Sequence, residues 1–204
     1  AVKFQKRNPD VCVPEHQKSL IRDTPWGSMS YIDYKYRMEF GKEEYDEIDR
    51  YCKERGIDWS ASPWDMDSLD FLLQYDIPFL KIPSAMITNE ELMRASARSI
   101  FSSGMSTLSE VDEAIEWLLE EGLSRDKYAL LHCNSSYPAP IEDLNLSCIT
   151  TLKERYGCEV GYSGHEFRIG TTVASVYLGA TILERHITLD RSMWGTDQLC
   201  SVEP

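Results

Sequence analysis

Two histidines, two lysines and a series of serines stand where short apolar runs give way to polar residues. His165 follows Gly161-Tyr162-Ser163-Gly164, and His186 closes Glu184-Arg185-His186. If these runs are neighbouring strands, about 4.8 Å apart, imidazoles at their ends can share one divalent cation. Structural zinc asks for four closed ligand positions. Two imidazoles with open positions suit a Lewis-acid ion such as Mn²⁺, or another divalent cation such as Mg²⁺, with water and substrate completing the shell. From spacing alone, a pair of hydrogen-bonded core histidines fits equally well.

The other polar groups form a second pattern. Alternation along Val2-Lys3-Phe4-Gln5 puts Lys3 and Gln5 on one strand face. Ser62, Lys81, Ser84, Ser102, Ser135 and Ser163 each lie at or just beyond the end of a later apolar run. Hydroxyls and backbone amides donate to anionic oxygens, and lysine supplies a point charge. Singly, each serine reads as a turn cap and each lysine as solvated. Their repetition on successive runs points to a phosphate or carboxylate site. His132 faces the middle of an apolar run and reads as a core or supporting group, and His16 as a solvated one. Asp190 and Asp197 follow His186; either can bind hydroxyls, though a loop aspartate more often closes an Asx turn. Trp64, Trp194, Tyr137 and Tyr162 are candidate sugar-stacking walls or plain core. Neither GxGxxG nor GxxxxGK[ST] occurs, and HExxH and GxSxG are also absent.

These residues need a scaffold that brings strand ends together. Apolar runs at Val2–Gln5, Ile57–Ala61, Phe79–Pro83, Ile100–Ser103, Tyr128–Cys133, Glu159–Tyr162 and Thr181–His186 read as strands. Between them, 3.6-residue periodicity predicts helices over Glu43–Arg55, Met66–Gln74, Glu90–Arg98, Leu108–Leu119, Leu144–Tyr156 and Ile169–Leu178. Thr107 or Ser109, with Glu110 or Asp112, reads as an N-cap, and Gly122 and Gly179 as C-caps. Immediate βα alternation predicts a parallel sheet and a TIM (β/α)8 barrel, in which catalytic groups stand at the carboxyl ends of strands. Such a barrel needs eight strands and about 250 residues. Only seven strands are legible, and the chain opens directly in one. The expectation is therefore a single partial barrel domain over 1–204 without its first strand, with a short internal loss near Arg98. The proline-containing stretch Asn8–Met38 reads as a long irregular active-site lid.

Composition narrows the function. Hydrophobic residues at 42% and charged residues at 27% exclude disorder, and a net charge of −13 argues against nucleic-acid partners. No run approaches the roughly 20 apolar residues of a membrane span. The six cysteines form no CxxC pair, which favours reduced thiols in a cytoplasmic protein. Cys133, inside an apolar run, is expected to be a buried thiol.

The runs Val2-Lys3-Phe4-Gln5, Ser102-Ser103-Gly104-Met105, Ser136-Tyr137-Pro138-Ala139-Pro140, Gly161-Tyr162-Ser163-Gly164-His165-Glu166 and Leu183-Glu184-Arg185-His186-Ile187-Thr188-Leu189-Asp190, with Ser201-Val202-Glu203-Pro204, are together specific. In these motifs the chain resembles the sialic acid synthase (N-acetylneuraminate synthase) family, which includes legionaminic and pseudaminic acid synthases. The resemblance implies a TIM barrel that condenses phosphoenolpyruvate with an N-acetylated aldose. It implies Mn²⁺ on His165 and His186, phosphoenolpyruvate on Lys3, Ser62, Lys81, Ser84, Ser102, Ser135 and Ser163, and the sugar on Gln5, Tyr137 and Asp197. Lys3, Lys81, His165 and His186 would be catalytic, in a homodimer. The family's C-terminal antifreeze-like domain is not part of this chain. Ala85-Met86 departs from the Gly-acidic pair usual in N-acetylneuraminate-forming members, which leaves the acceptor sugar open. Two other classes remain in view: a metal-dependent hydrolase on the same barrel, drawing carboxylates from Glu166 or Glu184, and a non-catalytic sugar-binding remnant.

Overall fold

Apolar runs of four or five residues are too short for buried helices, and parallel pairing satisfies their backbone groups. The computed structural model describes residues 1–96 and 99–204, which form two units, 1–81 and 82–204.

In unit 1, β1 (Val2–Lys6) pairs in parallel with β4 (Trp59–Pro63), setting Lys3 opposite Ser60 and Gln5 opposite Ser62. Helix α4 (Lys42–Arg55) buries Tyr45 and Cys52 and ends at Gly56, whose φ of 63° is the left-handed conformation that closes a helix. Ile57 N–H donates to Cys52 O at 3.0 Å, so Ile57 completes that closure. This is why the strand starts at Trp59, two residues later than expected. Tyr45, Trp59, Phe71 and Tyr75 pack at ring-centroid separations of 5.2–6.2 Å and form the unit's aromatic core with α5 (Met66–Leu72). Asp65 Oδ1 caps that helix, accepting from Ser68 N at 2.7 Å.

The expected irregular segment Asn8–Met38 is ordered. It contains α1 (Pro9–Cys12), α2 (Glu15–Lys18), an antiparallel hairpin of β2 (Ile21–Thr24) and β3 (Gly27–Ser30), and α3 (Tyr31–Met38). Asn8 caps α1 and Ser30 caps α3. Ile21, Arg22 and Asp23 are all exposed, so the hairpin shows no apolar alternation that a sequence reading can find.

The five-stranded sheet runs in the order β5 (Leu80–Ile82), β6 (Ser99–Ser102), β7 (Ala129–Cys133), β8 (Glu159–Gly164), β9 (Leu183–Arg185). The β6–β7, β7–β8 and β8–β9 pairs are parallel. The register stacks Cys133 beside Ser163 and Ser163 beside Glu184. Helices α6 (Glu90–Ala95), α7 (Leu108–Glu120), α8 (Cys148–Tyr156) and α9 (Gly170–Tyr177) alternate with the strands. Phe101, Leu130, Leu131 and Val160 of the strands and Val111, Ala114, Leu118, Ile149 and Leu152 of the helices are all buried. Burying each large side chain contributes about 1.5–3 kcal/mol.

Thr107 is the cap of α7. Its Oγ1 accepts from Glu110 N at 3.3 Å, while Glu110 Oε2 accepts from Thr107 N at 2.7 Å. Helix α8 begins at Cys148 instead of Leu144, because Asn145 takes a left-handed φ of 42° that interrupts the apolar periodicity. The predicted end of α6 at Arg98, with the internal loss inferred beside it, lies outside the described residues. Among the described residues, no helix is long and apolar enough to cross a membrane.

Candidate active site

The carboxyl ends of β6 to β9 carry the groups that geometry brings together in the second unit. His165 lies just past β8, buried, with its Nδ1 2.6 Å from the Asn134 carbonyl. A carbonyl only accepts, so Nδ1 carries the proton and Nε2 the lone pair. His186, just past β9, sets Nδ1 3.6 Å from Asp197 Oδ2, in ion-pair range, which favours the same tautomer. The two ring centroids are 5.2 Å apart. Tyr137 lies 4.3 Å from the His165 ring and 5.7 Å from that of His186.

Burial disfavours the His165 imidazolium, but Cys133, the Asn134 carbonyl and Glu184 outweigh it and hold the pKa above the usual histidine value. Burial, with Cys133 and Asp197 nearby, pushes the Tyr137 phenol up.

A hydroxyl cradle adjoins this pair. Gly104 N–H donates to Ser84 Oγ at 3.0 Å. A Cβ on Gly104 would overlap Ser135 Oγ and lie 2.7 Å from Ser84 Oγ and 3.1 Å from Cys133 Sγ. Only glycine lets the two hydroxyls come this close. Cys133 Sγ is in turn 3.6 Å from His165 Nδ1, so the thiol joins cradle and imidazole. Met105, next in the chain, holds a φ of 62°, a conformation that costs a non-glycine residue about 1–2 kcal/mol. Ser102 and Ser163 are buried at the ends of β6 and β8.

Unit 1 places Lys3 and Gln5 on β1, with Gln5 Oε1 accepting from Arg7 Nη2. Ser62 is wholly buried on β4, and its Oγ has no hydrogen-bond partner. Lys81 is only 3% exposed, in β5, three residues before Ser84. An orphaned buried hydroxyl is costly unless something satisfies it.

Several expectations change. Tyr162 is buried with its hydroxyl donating to Glu166 at 2.9 Å, so it is core and not a sugar wall. Asp197 was assigned to the sugar, yet it also borders His186. Glu166 is committed elsewhere: it accepts from Thr171 at 2.5 Å, Thr172 at 3.1 Å and Arg185 at 2.5 Å. Burial pushes its carboxyl up, but these donors, Thr171 foremost, hold it below the usual range. Among the described residues, no group of three or more His, Cys, Asp and Glu side chains is assembled that could hold a metal. A divalent cation here would have the two imidazoles as its protein ligands and would need water and substrate in its other positions. His132 Nε2 lies 2.7 Å from Leu144 O, and burial lowers its pKa, as suits a supporting group. His16 is exposed and Cys133 buried, both as expected. Asn134 and Arg185 were not singled out from sequence. The signal was adjacency, since one lies beside the Ser135 motif and the other directly before His186.

A parallel α/β sheet with imidazoles and hydroxyls gathered past the carboxyl ends of its strands has the layout of an α/β ligand-binding or catalytic site. The chain belongs to the NeuB family, whose model matches residues 1–204. It is 38% identical to the N-acetylneuraminate-9-phosphate synthase of Drosophila melanogaster, covering all of this chain and 56% of that protein. It is 33% identical to the N,N'-diacetyllegionaminic acid synthase of Campylobacter jejuni, covering all of this chain and 63% of that protein. Among solved structures, it is similar to the sialic acid synthetase of Leptospira borgpetersenii in complex with citrate, with a TM-score of 0.87 and 32% identity, over all of this chain and 67% of that one. The chain thus spans little more than half the length of the curated relatives it matches.

Proposed function

We propose that this chain is the (β/α)8-barrel part of a synthase that condenses phosphoenolpyruvate with an N-acetylated aldose and water, giving a nine-carbon 2-keto-3-deoxy acid and phosphate. The observation that carries the reading is the imidazole pair, 5.2 Å apart, adjoined through Cys133 by the Ser84–Gly104–Ser135 cradle. The relatives named as synthases of N-acetylneuraminate 9-phosphate and diacetyllegionaminic acid support it. The same reading takes the protein as a cytoplasmic homodimer.

His165 and His186 would hold a divalent cation, Mn²⁺ or Mg²⁺. Bound there, it supplies Lewis acidity to a carbonyl oxygen. Ser84, Ser102, Ser135 and Ser163 donate hydrogen bonds to an anionic donor substrate. The family resemblance assigns Lys3, Ser62 and Lys81 to the same anion. Gln5, Tyr137 and Asp197 take the sugar. In the overall reaction the enol carbon forms the new C–C bond at the aldehyde carbon, and the aldehyde oxygen takes a proton. Water adds at the phosphate-bearing carbon, and phosphate leaves with the electron pair of the C–O bond. Preorganised donors around the anion lower the cost of that departure.

The test is phosphate release from phosphoenolpyruvate by the intact protein with Mn²⁺, run without sugar, with N-acetylmannosamine and with a 2,4-diacetamido-trideoxy hexose. Release that requires both metal and one sugar supports the condensation and identifies the acceptor. Absence of release with any sugar, from folded and metal-loaded protein, overturns it.

A further inference from the structure

Continued strand alternation sends Ser163, His165, Glu184 and His186 to one face, and Gly164, Glu166 and Arg185 to the other. On that second face lies a buried ion pair that the proposed reaction does not use. Glu166 is 1% exposed, and one of its carboxylate oxygens meets Arg185 Nη1 at 2.5 Å. Arg185 Nη1 also donates to Thr172 Oγ1 at 2.8 Å and Arg168 O at 3.2 Å, while Nη2 donates to Glu166 O at 2.6 Å and Cys200 O at 2.9 Å. Thr171, Thr172 and Tyr162 complete the carboxylate's shell.

Buried ion pairs are weak sources of stability, since desolvation offsets most of their attraction. What this pair provides is geometric. Glu166 directly follows His165, and Arg185 directly precedes His186. The guanidinium grips the peptide carbonyl next to one histidine from a backbone position next to the other. Through Cys200 O it also grips the turn whose Asp197 borders His186, because Cys200 Sγ donates to Asp197 O at 3.1 Å. Gly164 makes the close packing possible, since a Cβ there would lie 2.8 Å from Glu166 Oε2 and 3.0 Å from Arg185 Nη1.

We infer that Glu166 and Arg185 are positioning residues that clamp the backbone beside His165 and His186 and so hold both rings at the separation one divalent cation requires. This rests on the reading of the imidazole pair as a cation site. A lysine cannot replace the arginine fork, because one ammonium cannot reach donors' partners on two sides at once.

The experiment titrates Mn²⁺ against the intact protein and reads free Mn²⁺ by electron paramagnetic resonance, with thermal unfolding in parallel. E166Q and R185K are expected to weaken Mn²⁺ binding about 10- to 100-fold, the usual effect of losing a group that orients a metal ligand. T171V, which keeps the ion pair and removes one donor, should weaken it by a smaller factor and serves if the charge variants do not fold. A purely structural pair would lower the unfolding temperature and leave the affinity of folded protein unchanged; that result overturns the inference. Wild-type protein that binds no Mn²⁺, with H165A indistinguishable from it, overturns the cation site itself. A second readout needs no metal: ring-nitrogen spectra of E166Q should lose the single Nδ1-protonated signature of His165, and an unchanged signature also counts against the clamp.

Discussion

Gly104→Ala tests whether the hydroxyl cradle binds the anionic substrate. The added Cβ would overlap Ser135 Oγ and sit 2.7 Å from Ser84 Oγ. Serine hydroxyls turn about one torsion, so the fold can accommodate the methyl group at about 0.5–1.5 kcal/mol for displaced rotamers. Binding cannot adapt so easily. Each hydroxyl that leaves the cradle removes a hydrogen bond to a charged group, worth about 1.5–3 kcal/mol. Loss of one such bond raises the phosphoenolpyruvate KM about 10- to 150-fold. The assay is phosphate release against phosphoenolpyruvate concentration, with thermal unfolding as the control. The same substitution in an S84A/S135A background should add less than about threefold, because the atoms it displaces are already gone and residues in contact are not additive. A folded G104A protein with a KM within about threefold of wild type, or a full further penalty from G104A in the S84A/S135A background, would refute the reasoning.

Further outcomes follow from the same geometry. H165A and H186A should each abolish metal-dependent turnover and weaken Mn²⁺ binding at least 100-fold, since each removes half of the protein's donors; near-normal affinity in either excludes that residue as a ligand. Ser62→Ala removes a buried hydroxyl with no partner, so stability should hold or rise by up to about 1 kcal/mol while phosphoenolpyruvate binding weakens; a clear drop in unfolding temperature would show that the hydroxyl is satisfied by the protein. Thr107→Ala dismantles the capping box of α7 and should cost about 1 kcal/mol in chemical denaturation without altering Mn²⁺ affinity.

The strand and helix pattern was largely legible because short apolar runs and 3.6-residue stripes are local signals. The αL closure at Gly56 shifted one strand start, and Asn145 cut short one helix. The hairpin of β2 and β3 stayed illegible because it is solvated along its length. Residue types and strand-end positions also indicated His165, His186 and the serines as candidates.

From sequence alone, a metal pair and a pair of core histidines were equally good readings of His165 and His186. The tertiary structure adds the partners of each ring: Asn134 O, from the loop after β7, accepts from His165 Nδ1, and Asp197 Oδ2, in the loop that follows β9, lies 3.6 Å from His186 Nδ1. The sequence by itself determined which chemical groups the chain has and which elements carry them, because those depend on local periodicity and capping. Only the tertiary structure decided that Glu166 is locked to Arg185, and that Gly104 brings Ser84 and Ser135 together. Both depend on parallel strands distant in sequence lying side by side, and no local pattern encodes that distance.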